Sequence, residues 1–206
     1  MKKSKAETAK TRRRIVQIAA QQFRRNGIQQ TGVADVMAAA GLTQGGFYRH
    51  FDSKDQLVAE ACAVSMSQLV RAAEAAAELG DEGFLRHLED FLSCKSRDDW
   101  RGGCPLVFVG SELARADMDA RRAASQGYRE LVEVLAKASR HEDAASAKGE
   151  AIFTLSAMIG AVTLSRIVDD PALSALILDQ TRQYLTQLRT PTRKKTRRPA
   201  GHAKPS

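Results

Sequence analysis

The stretch from Thr31 to Lys54 concentrates the side chains best suited to gripping a polyanion: Thr31, Thr43, Gln44, Tyr48, Arg49, His50 and Lys54, with Gly45 and Gly46 set among them. Hydroxyl, amide and cationic groups donate hydrogen bonds to phosphate oxygens, and the amides and hydroxyls also read base edges. Adjacent glycines carry no side chain, so the backbone there can approach a duplex closely. Thr43 is a good cap for a short helix running from Gln44 to Phe51. On that helix Tyr48, Arg49 and His50 are expected to reach phosphates, while Phe47 and Phe51 anchor it in a core. Lys54 sits beside Ser53, the expected cap of a following long helix, where backbone N–H groups and an ammonium together hold one phosphate.

Other chemistry-bearing residues are sparse. His50, His87, His141 and His202 show no metal-ligand spacing, and the chain has neither a glycine-rich phosphate loop nor a nucleophile elbow. Cys62, Cys94 and Cys104 make neither a CxxC pair nor a disulfide framework. No metal and no cofactor is expected, and an enzyme is the less favoured class. Cys104 stands apart. In Arg101-Gly-Gly-Cys104-Pro105 the thiol precedes a proline at an expected first helical position. Backbone N–H groups at a helix N-terminus, and the nearby Arg101, are expected to lower its pKa. The alternative for Cys104 is a small buried hydrophobe.

The elements that must hold these residues are all helical. No alternation of period two is found, and Ala, Leu, Arg, Gln and Glu dominate between the glycines and prolines. A first helix runs from Glu7 to Asn26, with Ile15, Ile18, Ala19 and Phe23 on its buried face and Gly27 ending it. Val33, Val36 and Met37 give a second, short helix an apolar face. Ala38, Ala39 and Ala40 let its neighbour approach, Gly41 supplies the positive φ of a tight turn, and Leu42 plugs the angle. Two short helices joined by such a turn make a helix-turn-helix, whose second helix lies in the major groove.

The segments Thr31-Gly-Val-Ala-Asp35-Val36, Ala40-Gly41-Leu-Thr43, Phe47-Tyr48-Arg-His50-Phe51 and Lys54-Asp-Gln-Leu57 resemble the DNA-binding signature of the tetracycline-repressor (TetR) family. The resemblance covers about residues 10–58. It implies an all-α protein with an N-terminal three-helix DNA-binding domain and a C-terminal helical domain for ligand sensing and dimerisation. It also implies repression at a palindromic operator, and a long linking helix that carries the signal of ligand binding to the head. Some members resemble the Cys104 arrangement and sense electrophiles or oxidants through it. Two positions depart from the pattern. Gly32 stands where the family often has a capping Ser or Thr, and Gly46 replaces a commoner Thr, Ser or Ala, lowering helix propensity by up to ~1 kcal/mol.

Charge divides the chain in the same way. The net +8 resolves into +8 over residues 1–54, −7 over 55–188 and +7 over 189–206. A basic head on an acidic body favours nucleic acid at one end. The expected organisation is a helix-turn-helix domain over 1–54 with a basic arm at 1–14, a helical body over 55–189, and a disordered basic tail over 190–206. The arm either touches the minor groove or is merely solvated. No apolar run approaches a membrane span, and Lys2 and Lys3 are followed by polar sequence rather than a signal-peptide core, so a cytoplasmic protein is expected.

Within the body, two terminal helices present Ile152, Leu155, Ile159 and Val162, then Leu173, Ile177, Tyr184 and Leu188, as a candidate homodimer interface. Small residues from Ser156 to Ala161 permit close contact between helices. Phe91, Trp100, Phe108, Tyr128 and Met158, with Cys104, are candidates for lining an effector cavity for a small molecule or electrophile; ordinary core is the alternative. A non-specific, architectural DNA-binding protein exploiting the basic tail is the principal rival to a sequence-specific repressor, and a helical enzyme ranks below it.

Overall fold

The computed structural model describes residues 5–99, 101 and 103–189. The basic tail from residue 190, the first four residues and Trp100 lie outside the described residues.

Helix α1 (Lys5–Asn26) buries Ile15, Ala19 and Phe23, flanked by Val16 and Ala20, along one stripe. The spacing-based expectation was for a start at Glu7. Lys10 and Arg12 to Arg14 lie within the helix on either start, and the basic arm expected over 1–14 is helical from Lys5 onward. Gly27 ends α1 at φ +87°, its N–H donating to Phe23 O at 2.8 Å.

Helix α2 (Val33–Ala39) buries Val36 and Met37. Its C-terminus closes in a paired arrangement: Gly41 N–H donates to Ala38 O at 2.9 Å and Leu42 N–H to Met37 O at 2.9 Å. Gly41 makes this possible at φ +66°. The second helix of the motif is not α-helical. Gln44–Arg49 forms a 3₁₀ helix, η1. Gly45 and Gly46 lose the most backbone entropy on being fixed and weaken α-helical continuation, and a short 3₁₀ run is the compact alternative.

Ser53 then caps α3 (Lys54–Glu78), its Oγ accepting from Gln56 N–H at 3.1 Å, as its sequence position suggests. The first turns of α3 pack on α1, and the helix continues without a break along α8 (Met118–Lys137). The crossing of α3 and α8 is close enough to need glycine: a Cβ at Gly127 would stand 2.4 Å from Met66 Cβ. Helix α4 (Gly80–Phe91) turns back against α3 after Gly80, at φ +65°. Three short helices, α5 (Cys94–Asp98), α6 (Pro105–Phe108) and α7 (Gly110–Leu113), link α4 to α8. Of these, α6 touches α1, α3 and the long helix α9 (Ala144–Ile167). Helix α10 (Pro171–Arg189) closes the bundle on α9 and α4.

Buried apolar side chains from Ile15 to Leu185 form one continuous cluster. Head and body therefore share a core, and α3 crosses the expected boundary at residue 54 as a single rigid rod. No strand occurs among the described residues. One expectation needs correction: α9 is long enough to cross a membrane, and an 18-residue window of it reaches a mean hydropathy of 1.3, apolar enough by composition to do so. Its apolar content is divided between the intrachain core and an outward face.

Candidate nucleic-acid interface

Helix η1 is seated by two phenylalanines. Phe47 is fully buried and Phe51 nearly so, their rings stacked with centroids 5.4 Å apart. Fully burying each such side chain is worth roughly 1.5–3 kcal/mol, so the orientation of η1 is strongly fixed. Tyr48, by contrast, is 74% exposed and meets only the edge of Phe47. Thr43, Gln44, Gly45 and Arg49 are exposed beside it, while Gly46, His50 and Lys54 are half-buried at its margins. The Thr43 backbone takes the capping conformation, but its hydroxyl makes no capping bond. It stays available to the outside. Asp35 takes over part of the role of the missing cap at Gly32, its Oδ2 accepting from Gly32 N–H at 3.0 Å.

Thr31 does not belong to this surface. It is 1% exposed, and its hydroxyl donates to Gly27 O at 2.7 Å, tying down the α1–α2 loop. A threonine beside a glycine-ended helix serves backbone acceptors first, because they are left orphaned there.

Arg12 was legible only as positive charge, yet it is the clamp of the site. Its Nε donates to His50 O at 3.0 Å, its terminal nitrogens pair with the Glu60 carboxylate on α3, and its guanidinium lies 4.5 Å from the Phe51 ring centroid. One side chain thus joins α1, the end of η1 and α3. Among the described residues of the head, Lys5, Lys10, Arg13, Arg14, Arg25 and Arg49 are exposed cations.

Further contacts tie the head to the body. Arg24 on α1, only 7% exposed, donates to Ser65 Oγ on α3 at 2.7 Å and to Arg101 O at 2.5 Å. Glu112 on α7 accepts from Gln29 N–H in the α1–α2 loop.

Inside the body, a narrow apolar cavity, with about 30 Å³ open to the centres of water-sized molecules, lies between α3, α4, α8 and α9. Cys104, Phe91 and Met158 line it, as expected, joined by Phe84, His87, Leu131 and Leu155. Phe108 does not. It lies under the Arg166 guanidinium at 4.2 Å and against Gly103, where a Cβ would stand 2.2 Å from the ring. Tyr128 also points elsewhere, its hydroxyl 3.4 Å from Ser156 Oγ. The expected depression of the Cys104 pKa is reversed. Burial pushes the thiol up to about 11, and the opposing N–H groups of Val107 and Leu106 and the charge of Arg24 do not overcome it. The neighbouring cation is Arg24 and not Arg101. Cys62 is likewise pushed up to about 11 by burial.

The candidate dimer residues separate into two sets. Leu155 and Val162 are buried within the chain, and Ile159 and Ile177 are half-buried, with Leu155 and Ile159 facing the cavity. Ile152, Leu173, Tyr184 and Leu188 are exposed, and so are Phe153, Leu164, Ile167 and Leu176. On α9 the outward stripe is Phe153, Ser156, Gly160, Leu164 and Ile167, spaced for one helix face. Nothing lies within 4 Å of a Cβ built at Gly160.

Comparison with known proteins gives a consistent picture. Residues 15–61 match the family model described as "Bacterial regulatory proteins, tetR family", and residues 82–174 match "Transcriptional regulator LmrA/YxaF-like, C-terminal domain". The chain is 35% identical over 92 residues to the probable HTH-type transcriptional regulator ArpR of Pseudomonas putida, a stretch covering 43% of each protein. It is 41% identical over 59 residues to the probable acrEF/envCD operon repressor of Escherichia coli (strain K12), covering 29% of this chain and 27% of that one. The aligned stretches span less than half the length of these relatives. Among solved structures, reduced Escherichia coli NemR superposes with a TM-score of 0.76 at 16% identity, covering 89% of this chain and 99% of that one. A TetR transcriptional regulator from Chloroflexus aurantiacus superposes at 0.70 with 26% identity, over 88% and 95%.

Proposed function

Because this chain belongs to the tetR family of bacterial transcriptional regulators, we propose that it works as a homodimeric repressor of a palindromic operator, released when a small molecule fills the cavity of its body. One observation carries the DNA-binding part. Phe47 and Phe51 pin η1 against the core while Thr43, Gln44, Tyr48 and Arg49 stay exposed at its outer side. A rigidly seated, short, polar helix end is what reading a major groove requires.

Dimerisation is supported by the outward apolar stripes on α9 and α10. Exposed patches of this kind mark interaction surfaces, and a two-fold pairing of two helices from each chain would bury them as a four-helix bundle. Such a dimer presents two copies of η1 to two half-sites.

Release is supported by the route from cavity to head. Cys104 lines the cavity and stands at the N-cap position of α6; its neighbour Arg101 receives Arg24 from the head. A ligand that shifts α6 therefore acts on α1 directly. Ligand binding fits the geometry better than thiol chemistry, since a buried, protonated Cys104 is a poor nucleophile.

The test is binding to duplex fragments of the intergenic DNA flanking its own gene, followed by fluorescence anisotropy at physiological salt. A site preferred over random DNA by about 10³ or more is the expected result. Equal affinity for all fragments would instead favour the architectural reading.

A further inference from the structure

Among the described residues, the cavity offers its occupant one strongly hydrogen-bonding side chain. Its walls are hydrocarbon and aromatic, with Leu69, Phe84, Leu131 and Met158 among them, and only His87 and Cys104 bring polar atoms. The Cys104 thiol makes no capping hydrogen bond to α6 and is only a weak donor and a weak acceptor. Among the described residues, nothing hydrogen-bonds the His87 ring. Together with Leu69 and Phe91, His87 also walls an outer cleft that holds Asp90, Ser93, Lys95 and Asp99. It stands where the apolar interior gives way to polar ground. Burial holds the imidazole below its ordinary pKa, and Asp90 opposes this only in part. At neutral pH the ring is uncharged, so one nitrogen donates and the other accepts.

We propose that His87 selects the effector: the cavity takes an uncharged, mostly hydrocarbon or aromatic molecule carrying one terminal hydroxyl, of the phenol or alcohol class, which hydrogen-bonds the His87 ring. This rests on the reading of the cavity as the release site. An apolar molecule without the hydroxyl fills the same volume but strips water from His87 and returns nothing. A carboxylate or ammonium loses its hydration shell among these walls and finds no opposite charge inside them.

Four compounds with one common body test this on the full chain: 4-ethylphenol, ethylbenzene, 4-ethylbenzoate and 4-ethylbenzylammonium, titrated calorimetrically at pH 7.5. The expected order places 4-ethylphenol about tenfold tighter than ethylbenzene, with both ions weaker still. In His87→Leu the advantage of the phenol disappears while ethylbenzene binds as before. His87→Gln, which keeps a donor and an acceptor, restores part of it. Leu155→Trp fills the cavity and removes binding of all four, which locates the site. Equal affinity of phenol and ethylbenzene for the natural chain overturns the proposal, as does a preference that survives in His87→Leu. Ions that bind as tightly as the phenol, or no binding by any of the four, overturn it too. Release of bound DNA by saturating 4-ethylphenol is read separately. A phenol that binds through His87 yet leaves DNA bound upholds the ligand class and removes the release reading alone.

Discussion

The Glu112 carboxylate accepts a hydrogen bond from the backbone N–H of Gln29 at 2.7 Å. This contact spans 83 residues of chain and fastens the short helix α7 to the loop that positions α2. Glu112 Oε1 also occupies the space over Gly27, 2.8 Å from where a Cβ would stand. With Arg24 at Arg101 O, it ties the head to α7 and to the loop that leads into α6.

Glu112→Ala is therefore expected to leave DNA affinity within about threefold, while weakening its loss on effector binding. An anisotropy titration with and without effector checks this. Because the bond lies at the surface, the melting temperature should fall only slightly, by the equivalent of about 0.5–1 kcal/mol.

Arg12 and Arg49 separate positioning from contact. Arg12→Met breaks a partly buried pair with Glu60 and frees the end of η1, and is expected to cost about 1–3 kcal/mol of stability. DNA binding should weaken with little change in its salt dependence, since this guanidinium already has a protein partner. Arg49→Ala should leave stability unaltered and reduce the log–log salt slope by about 1. Salt titrations of both variants decide the assignment, and a reduced slope for Arg12→Met would contradict it.

Two glycine-to-alanine changes should act in opposite directions. At Gly46, φ is not positive, and the nearest atom to a new Cβ is Met37 Cε at an ordinary 3.6 Å. Gly46→Ala should therefore stabilise by about 0.5–1 kcal/mol and favour α-helical continuation of η1. At Gly127 the new Cβ meets Met66 Cβ at 2.4 Å, so Gly127→Ala should destabilise by about 1–3 kcal/mol through overpacking between α3 and α8. Chemical denaturation of both variants measures the two signs.

His87 makes stability depend on pH. Its folded pKa is lowered, by burial first and against a smaller opposing pull from Asp90. The unfolded chain thus binds more protons over this range, so stability is full above the unfolded value near 6.5 and is lost as pH falls through the lower folded value. For one group the slope is at most about 1.4 kcal/mol per pH unit. Melting temperatures from pH 7.5 to 5.5 should fall less steeply in His87→Leu. Parallel curves for the two proteins would reject the assignment.

Leu164 sits in the middle of the outward stripe of α9. Leu164→Glu should convert a sedimenting species near twice 22.5 kDa into one near 22.5 kDa without loss of helicity. Its operator affinity should fall by about 100-fold or more, because one copy of η1 reads only half a site.

Local chemistry made much of this protein legible from its residues in order. The helical period of Ile15, Ala19 and Phe23 gave α1, the positive φ demanded at Gly41 gave the turn, and Ser53 marked the start of α3. The basic head and the outward residues of η1 followed from residue types at fixed spacing, because a short motif is held by contacts close in sequence. The tertiary structure decided what depends on distant partners. Thr31 turned inward to Gly27 O, Arg12 became a clamp because Glu60 lies one helix away, and Leu155 and Val162 joined the core because α8 and α10 cover that side of α9. The proton affinity of Cys104 was settled in the same way. A helix N-terminus can be read from a proline, but the desolvation that outweighs it comes from the elements that close over the thiol.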